Sequence, residues 1–212
     1  MLDLRDEVAE PKTEIQAALS RVLDSTTFIL GPEVRDLEQD LAAYLGVKHA
    51  VTLNSGTDAL VIALRTLGIG KGDEVITSPF SFFATAEAIA LVGACPVFVD
   101  ISEDFNLDAD LLEAAITERT KAIMPVHLFG KPAQMTKIMA TAKRHNLKVI
   151  EDCAQSIGAA YFGNCEGCNG QCDNALRNEL TGKMTSNIVD IGCCSIYPTE
   201  NLGTDGDVGM VI

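Results

Sequence analysis

The chain has 212 residues, 47% of them hydrophobic, and its 16 Lys and Arg against 30 Asp and Glu leave a formal net charge of −14. That length and apolar content can bury a sizeable core and predict one large globular domain, while the acidic balance argues against nucleic acid or an anionic membrane as a partner. The start, Met1-Leu2-Asp3-Leu4-Arg5-Asp6-Glu7, lacks the basic residues and apolar run of a signal peptide, and the apolar stretch Ala86 to Ile101 is interrupted by Glu87, Gly93 and Pro96, so a cytoplasmic protein is expected.

Two helical patterns come first, roughly Thr13 to Asp24 and Val34 to Leu45; the second follows Gly31-Pro32 and carries Val34, Leu37, Leu41 and Leu45 on one face. Strands and helices then alternate. Ala50 to Leu53 reads as a strand, Thr57 to Leu67 as a helix, Glu74 to Thr77 as a strand, Phe83 to Val92 as a helix and Pro96 to Asp100 as a strand. A helix near Asp108 to Ile116, a strand at Ala122 to Val126, a helix from Ala133 to Asn146 and a strand from Lys148 to Glu151 continue the series. This rhythm predicts an α/β fold, three layers α/β/α around a mostly parallel sheet. The stretch from Gly163 to Asn187 is polar, contains Cys and has weak periodicity, so it is expected to be a long surface loop or insertion. Ile191 to Tyr197 is the next strand, and Val208 to Ile212 begins another at the last residue, which predicts an incomplete domain.

The candidate site residues cluster where strands end. Lys148-Val149-Ile150-Glu151-Asp152-Cys153-Ala154-Gln155 is an apolar strand that stops in acids and an amide, and the carboxyl edge of a parallel sheet is where ligands bind. Asp152 and Gln155 there could hold a ring nitrogen and a neighbouring oxygen, or serve as a structural cap. Asn54-Ser55-Gly56-Thr57-Asp58 lies between strand and helix, where backbone N–H groups favour an anion such as phosphate and where Ser, Thr and Asp are equally at home as ordinary caps. Ser81-Phe82-Phe83-Ala84-Thr85 puts aromatics at the same edge, either as core or as a stacking surface. Gly68-Ile69-Gly70-Lys71-Gly72 precedes a strand, so it reads as a turn and not as a dinucleotide fingerprint. His49, His127 and His145 are scattered and read as structural.

Taken in order, Phe28-Ile29-Leu30-Gly31-Pro32-Glu33-Val34, Leu53-Asn54-Ser55-Gly56-Thr57-Asp58-Ala59-Leu60, Asp73-Glu74-Val75-Ile76-Thr77, Glu151-Asp152-Cys153-Ala154-Gln155 and Ser195-Ile196-Tyr197-Pro198-Thr199 strongly resemble the DegT/DnrJ/StrS family of sugar aminotransferases. The resemblance covers nearly the whole chain except Gly163 to Asn187. It implies a fold-type I, aspartate-aminotransferase-like large domain, here over residues 1–212 without the C-terminal small domain. It also implies pyridoxal 5'-phosphate (PLP), glutamate and a nucleotide-linked keto sugar as cofactor and substrates, and a homodimer. By position, Gly56, Thr57 and Ser195 match the phosphate-binding residues and Phe82 the aromatic that stacks on the cofactor ring. Asp152 matches the acid at the pyridine nitrogen, which keeps the ring an electron acceptor, and Gln155 matches the position beside the ring hydroxyl.

The departure is Glu200. The family's Schiff-base lysine stands five positions after the serine, and here Tyr197-Pro198-Thr199 is followed by Glu200 and Asn201-Leu202-Gly203. A carboxylate cannot take the lysine's part. Three readings stay open: an ordinary aminotransferase altered at one position, a non-catalytic relative that binds cofactor or sugar nucleotide, or a dehydratase-like enzyme using the aminated cofactor, pyridoxamine 5'-phosphate (PMP), with Glu200 as a base. Cys165, Cys168 and Cys172 form a C-x-x-C-x-x-x-C run with no His nearby, so incidental thiols are expected there and no metal. Cys95, Cys153, Cys193 and Cys194 sit in apolar contexts as free thiols.

Overall fold

The computed structural model describes residues 4–9, 11–163, 173–204 and 206–212. The C-x-x-C-x-x-x-C run therefore lies outside the described residues. Three helices open the chain: α1 (Leu4–Ala9), α2 (Lys12–Ser25) and α3 (Pro32–Leu45). Pro32 supplies the first turn of α3, where its missing N–H costs nothing, and Gly46 closes it at φ 68°. The alternating region then runs β1 (Val51–Leu53), α4 (Gly56–Thr66), β2 (Glu74–Thr77), α5 (Phe83–Leu91), β3 (Cys95–Phe98), a 3-10 turn at Ala109–Leu111 leading into α6 (Leu112–Ala115), β4 (Thr120–Ile123), α7 (Met135–His145) and β5 (Lys148–Asp152). It ends with α8 (Asn174–Leu180), β6 (Ile191–Ser195) and β7 (Gly209–Val211).

The strands form one seven-stranded sheet in the order β1-β7-β6-β5-β4-β2-β3. Only β7 is reversed: it pairs antiparallel with both β1 and β6, and every other pairing is parallel. The α/β expectation therefore holds, with one strand whose direction the pattern did not reveal. Side chains alternate across the sheet as a pleat requires. Ile76, Ile123 and Val149 pack with Leu112, Ile138 and Leu180 on the α6, α7 and α8 side, while Val75, Ala122 and Ile150 pack with Leu60, Leu64 and Ile89 of α4 and α5 on the other. Two buried faces explain why these strands read as continuous apolar runs.

Several boundaries differ from the expectation, each for a physical reason. The strand expected at Ala122 to Val126 ends at Ile123, because Pro125 has no N–H for the ladder; its carbonyl instead accepts the Asp152 N–H at 2.9 Å. The stretch from Gly163 to Asn187 is not all loop. The Asp173 side chain caps the first turn of α8 by accepting the Leu176 N–H at 3.0 Å, and Leu180 is buried. Among the described residues no helix is long and apolar enough to cross a membrane.

Glycine fixes how closely the layers meet. A Cβ on Gly209 would lie 1.9 Å from the Ser55 carbonyl oxygen and 2.6 Å from the Gly56 nitrogen, so only glycine lets β7 start beneath the α4 N-terminus. Gly209→Ala is expected to destabilise the fold by about 3 kcal/mol in urea unfolding. Gly206→Ala, with nothing within 4 Å of its added Cβ, should stay within about 0.5 kcal/mol of the parent. Equal effects of the two substitutions would show that the crowding is relieved without cost.

Candidate functional site

Because β1, β2, β4, β5 and β6 point the same way, their carboxyl ends share one edge, and β7 starts there. A cavity of about 900 Å³ opens at that edge. Its walls include Gly56 and Thr57 after β1, Phe82 after β2, Phe129 after β4, Asp152 and Gln155 at the end of β5, and Ser195, Glu200 and Asp207 in and beyond β6. All seven residues singled out in the sequence thus line one space.

The floor is Asp152. Its residue is 5% exposed, and Oδ2 accepts the Thr85 hydroxyl at 2.8 Å, while Oδ1 accepts the Ala154 N–H at 3.3 Å. Ser81 in turn donates to Thr85 at 2.8 Å, since the Thr85 proton is committed to Asp152. Burial pushes the Asp152 carboxyl above its ordinary value; the Thr85 hydroxyl and the Ala154 N–H act against that, and the charge of Glu200 adds to it. Among the described residues no Lys, Arg or His lines the cavity.

At one side lies the N-terminus of α4. Ser55 caps it by accepting the Asp58 N–H at 3.0 Å, so the N–H groups of Gly56 and Thr57 remain without helical acceptors, as in any first turn. A Cβ on Gly56 would stand 2.6 Å from the Ser195 Cβ and 2.9 Å from its Oγ, so the absence of a side chain brings the helix end against the serine hydroxyl. That is the arrangement that receives a phosphate. Gln155 lines the same cavity; its Oε1 accepts the Phe129 N–H at 2.8 Å and its amide NH2 remains to donate. Phe82 is 80% exposed just before α5 and stands over the cavity.

Glu200 also lines the cavity. Its Oε2 accepts the Tyr197 N–H at 2.7 Å, and its own N–H donates to the Tyr197 carbonyl at 2.9 Å. The turn from Tyr197 to Glu200 therefore holds the carboxylate in place by its own backbone.

Sequence reasoning missed two features. Phe129, at φ 55°, is a non-glycine residue in left-handed backbone at the cavity wall, and its conformation is what presents its N–H to Gln155. Behind the floor, His127 and Glu151 are fully buried and paired at 2.9 Å through Nε2 and Oε1. His127 Nδ1 accepts the Ala133 N–H at 3.0 Å, so Nε2 carries the proton that goes to Glu151, whose Oε2 also accepts the Ile188 N–H at 3.3 Å. Together with Cys153 these two bring potential metal ligands within 4.8 Å of one another. Both imidazole nitrogens are already engaged in hydrogen bonds, however, and the Glu151 carboxylate accepts from His127 and Ile188, so the group reads as a satisfied support for the strand end. The only signal was the acid next to Asp152, which reads from sequence as one more polar residue at a strand end.

Residues 10–212 match the DegT/DnrJ/EryC1/StrS aminotransferase family. A UDP-N-acetyl-3-dehydro-alpha-D-glucosamine 3-aminotransferase of Acidithiobacillus ferrooxidans is 48% identical over 213 aligned positions, spanning 100% of this chain and 53% of that protein. A DegT/DnrJ/EryC1/StrS aminotransferase structure from Brucella abortus superposes with TM-score 0.87 at 40% identity, over 100% of this chain and 54% of that one. A Bacillus subtilis structure with bound PMP cofactor gives TM-score 0.84 at 35% identity, over 99% of this chain and 43% of that one. The chain spans about half the length of the curated relatives it matches.

The raised Asp152 carboxyl carries a stability consequence. A carboxyl that binds its proton more tightly folded than unfolded favours the folded state at low pH, and that advantage is lost as pH rises from the unfolded value through the folded one. Asp152→Asn is therefore expected to raise the melting temperature of the ligand-free chain by a few degrees at neutral pH and to have little effect in acid. A lowered melting temperature at neutral pH would mean that the Thr85 and Ala154 hydrogen bonds outweigh burial.

Proposed function

The chain belongs to the DegT/DnrJ/EryC1/StrS aminotransferase family, and from that membership we propose that it is the cofactor-binding part of a nucleotide-sugar aminotransferase scaffold whose pocket holds a pyridoxal phosphate-type cofactor without covalent attachment. The observation that carries this reading is Asp152, a buried carboxylate at the floor of a roomy cavity with no protein cation among the lining residues. A protonated pyridine nitrogen supplies the missing positive charge.

The other walls suit the rest of such a molecule. The Gly56 and Thr57 N–H groups, with the Ser195 hydroxyl, would hold the phosphate, and the α4 dipole favours its charge. Phe82 would cover the ring face, and the Gln155 amide would donate to the ring oxygen. When bound, the cofactor supplies an electron sink for a carbanion at the substrate carbon. Asp152 keeps the proton on the ring nitrogen, and Thr85 and Ala154 hold Asp152 in position. The step these residues lack is the transfer of the substrate's α-proton by an amine, because Glu200 is a carboxylate fixed by the Tyr197 backbone.

The proposed acceptor is a nucleotide-linked keto sugar, in keeping with the name of the Acidithiobacillus relative, and the proposed amino donor is glutamate, as the family resemblance implies. A homodimer is proposed on Leu19, Leu23, Phe28, Ile29 and Leu30, an apolar stretch that is exposed among the described residues. Glu200 itself favours a second reading, a non-catalytic relative that keeps the pocket for binding alone.

The test adds the lysine back. Glu200→Lys is expected to let borohydride fix pyridoxal phosphate to the chain, with a matching visible absorbance change, whereas the parent chain loses its cofactor on denaturation after the same treatment. Asp152→Asn in the Glu200→Lys background should weaken cofactor binding by about ten- to a hundredfold. If Glu200→Lys leaves the cofactor unfixed and unbound, the pocket is not a pyridoxal phosphate site. Recovery of transamination in a Glu200→Lys chain would favour the enzyme scaffold over the binding-only reading.

A further inference from the structure

A run of side-chain oxygens leads to the floor acid from the wall where α5 begins. The Ser81 Oγ lies 2.8 Å from the Thr85 Oγ1, and the Thr85 hydroxyl donates to Asp152 Oδ2 at 2.8 Å. Ser81, Thr85 and Asp152 all line the cavity. Ser81 is half-buried, whereas Thr85 is 1% exposed, so its hydroxyl has given up water for these two partners.

Neither hydroxyl is spent on the backbone around it. Phe82 stands at the N-cap of α5 and makes no side-chain hydrogen bond to the helix end, while Ser81, one position earlier, gives its hydroxyl to Thr85. A threonine within a helix commonly turns its hydroxyl back onto the carbonyl four residues before it. Thr85, the third residue of α5, donates instead across 67 positions to the end of β5. Each hydroxyl has one proton, so the sense of the chain is set by the acid: an ionised Asp152 takes the Thr85 proton, and Thr85 takes that of Ser81. A hydroxyl that accepts one hydrogen bond donates the next more strongly.

The consequence falls on charge. Among the influences that oppose burial at Asp152 the Thr85 hydroxyl stands first, ahead of the Ala154 N–H and His127. The other titratable groups around the acid are Glu200, whose charge adds to the effect of burial, Asp207 in the cavity lining, Glu151 and Cys153 beside it on the chain, and Cys193 of β6. Among the described residues Thr85 alone gives Asp152 a side-chain hydrogen bond.

We propose that Ser81 and Thr85 are a pair of positioning residues that keep the floor acid ionised, so that Asp152 meets a cationic ligand nitrogen as a carboxylate. The inference takes from the proposed function only that Asp152 receives such a nitrogen. The Ala154 N–H serves the other carboxylate oxygen and belongs to the backbone, so the hydroxyl pair is the part of this support that side chains supply.

Titration of Asp152 by NMR in the ligand-free chain, with carbon-13-labelled aspartate and Asp152→Asn to assign the signal, tests this. Thr85→Val keeps the shape and removes the hydroxyl, and Asp152 is then expected to bind its proton about tenfold tighter. Thr85→Ser should return the titration to that of the parent. Ser81→Ala leaves the Thr85 bond in place and should tighten proton binding by about threefold. An unchanged titration in Thr85→Val overturns the assignment, and so does an equal change in Thr85→Ser, which would show that packing acts and not the hydroxyl. An unchanged titration in Ser81→Ala overturns the pair, since Thr85 would then act alone. Pyridoxal phosphate takes no part in the measurement, so the outcome is separate from that of the cofactor reading.

Discussion

The structure depends on one crowded junction, where the first turn of α4 is pressed against the end of β6 and the start of β7. Gly56 lies against Ser195 and Gly209 lies against the Ser55 and Gly56 backbone, with no room for a Cβ at either glycine. Backbone meeting backbone this closely brings the unsatisfied N–H groups of a helix end beside a hydroxyl from a distant strand. It also explains why β7 runs backwards. The chain leaves β6 at the site edge, turns through Tyr197 and Glu200, and re-enters the sheet between β1 and β6 from that same edge. The segment that carries Glu200 thus leaves and re-enters the sheet at the cavity edge.

Electrostatics around the junction are asymmetric. The α4 end presents the positive pole of a helix dipole, and the cavity lining also carries Asp152, Glu200 and Asp207. A ligand with an anionic end and a cationic body satisfies both sides. Without one, burial raises the Asp152 carboxyl and Glu200 adds to that, while the Thr85 hydroxyl, the Ala154 N–H and His127 act against it. Sites commonly carry such a cost in the empty state, because the group that binds the ligand is the one the fold would otherwise not bury.

Beneath the floor the arrangement is the reverse. His127, Glu151 and the Ala133 and Ile188 N–H groups satisfy one another, and the His127 N–H holds the Asp152 carbonyl at 3.1 Å. A closed polar network under a strand end fixes that end more firmly than apolar packing alone. It lets Asp152 stay in place while its own charge lacks a partner.

The helices and strands of the alternating region, and the acid and amide ending β5, were legible because each is a local pattern: an apolar period, a cap, a strand followed by polar residues. The match of Gly56, Thr57, Phe82, Asp152, Gln155, Ser195 and Glu200 to a family was legible for the same reason. Contacts between distant segments were not. α8 lies in a polar stretch and buries Leu180, too little to raise a period, and β7 is three residues long, too short to declare its direction. His127 and Glu151 looked like unrelated polar residues until parallel pairing of β4 with β5 put them side by side. Sequence by itself determined which side chains are available and what each can do, since charge, donor capacity and caps belong to single residues and short runs. Tertiary structure decided which of them meet, that Asp152 loses water without gaining a cation, and that Glu200 faces it, because sheet order and glycine-limited approach are properties of segments far apart in the chain.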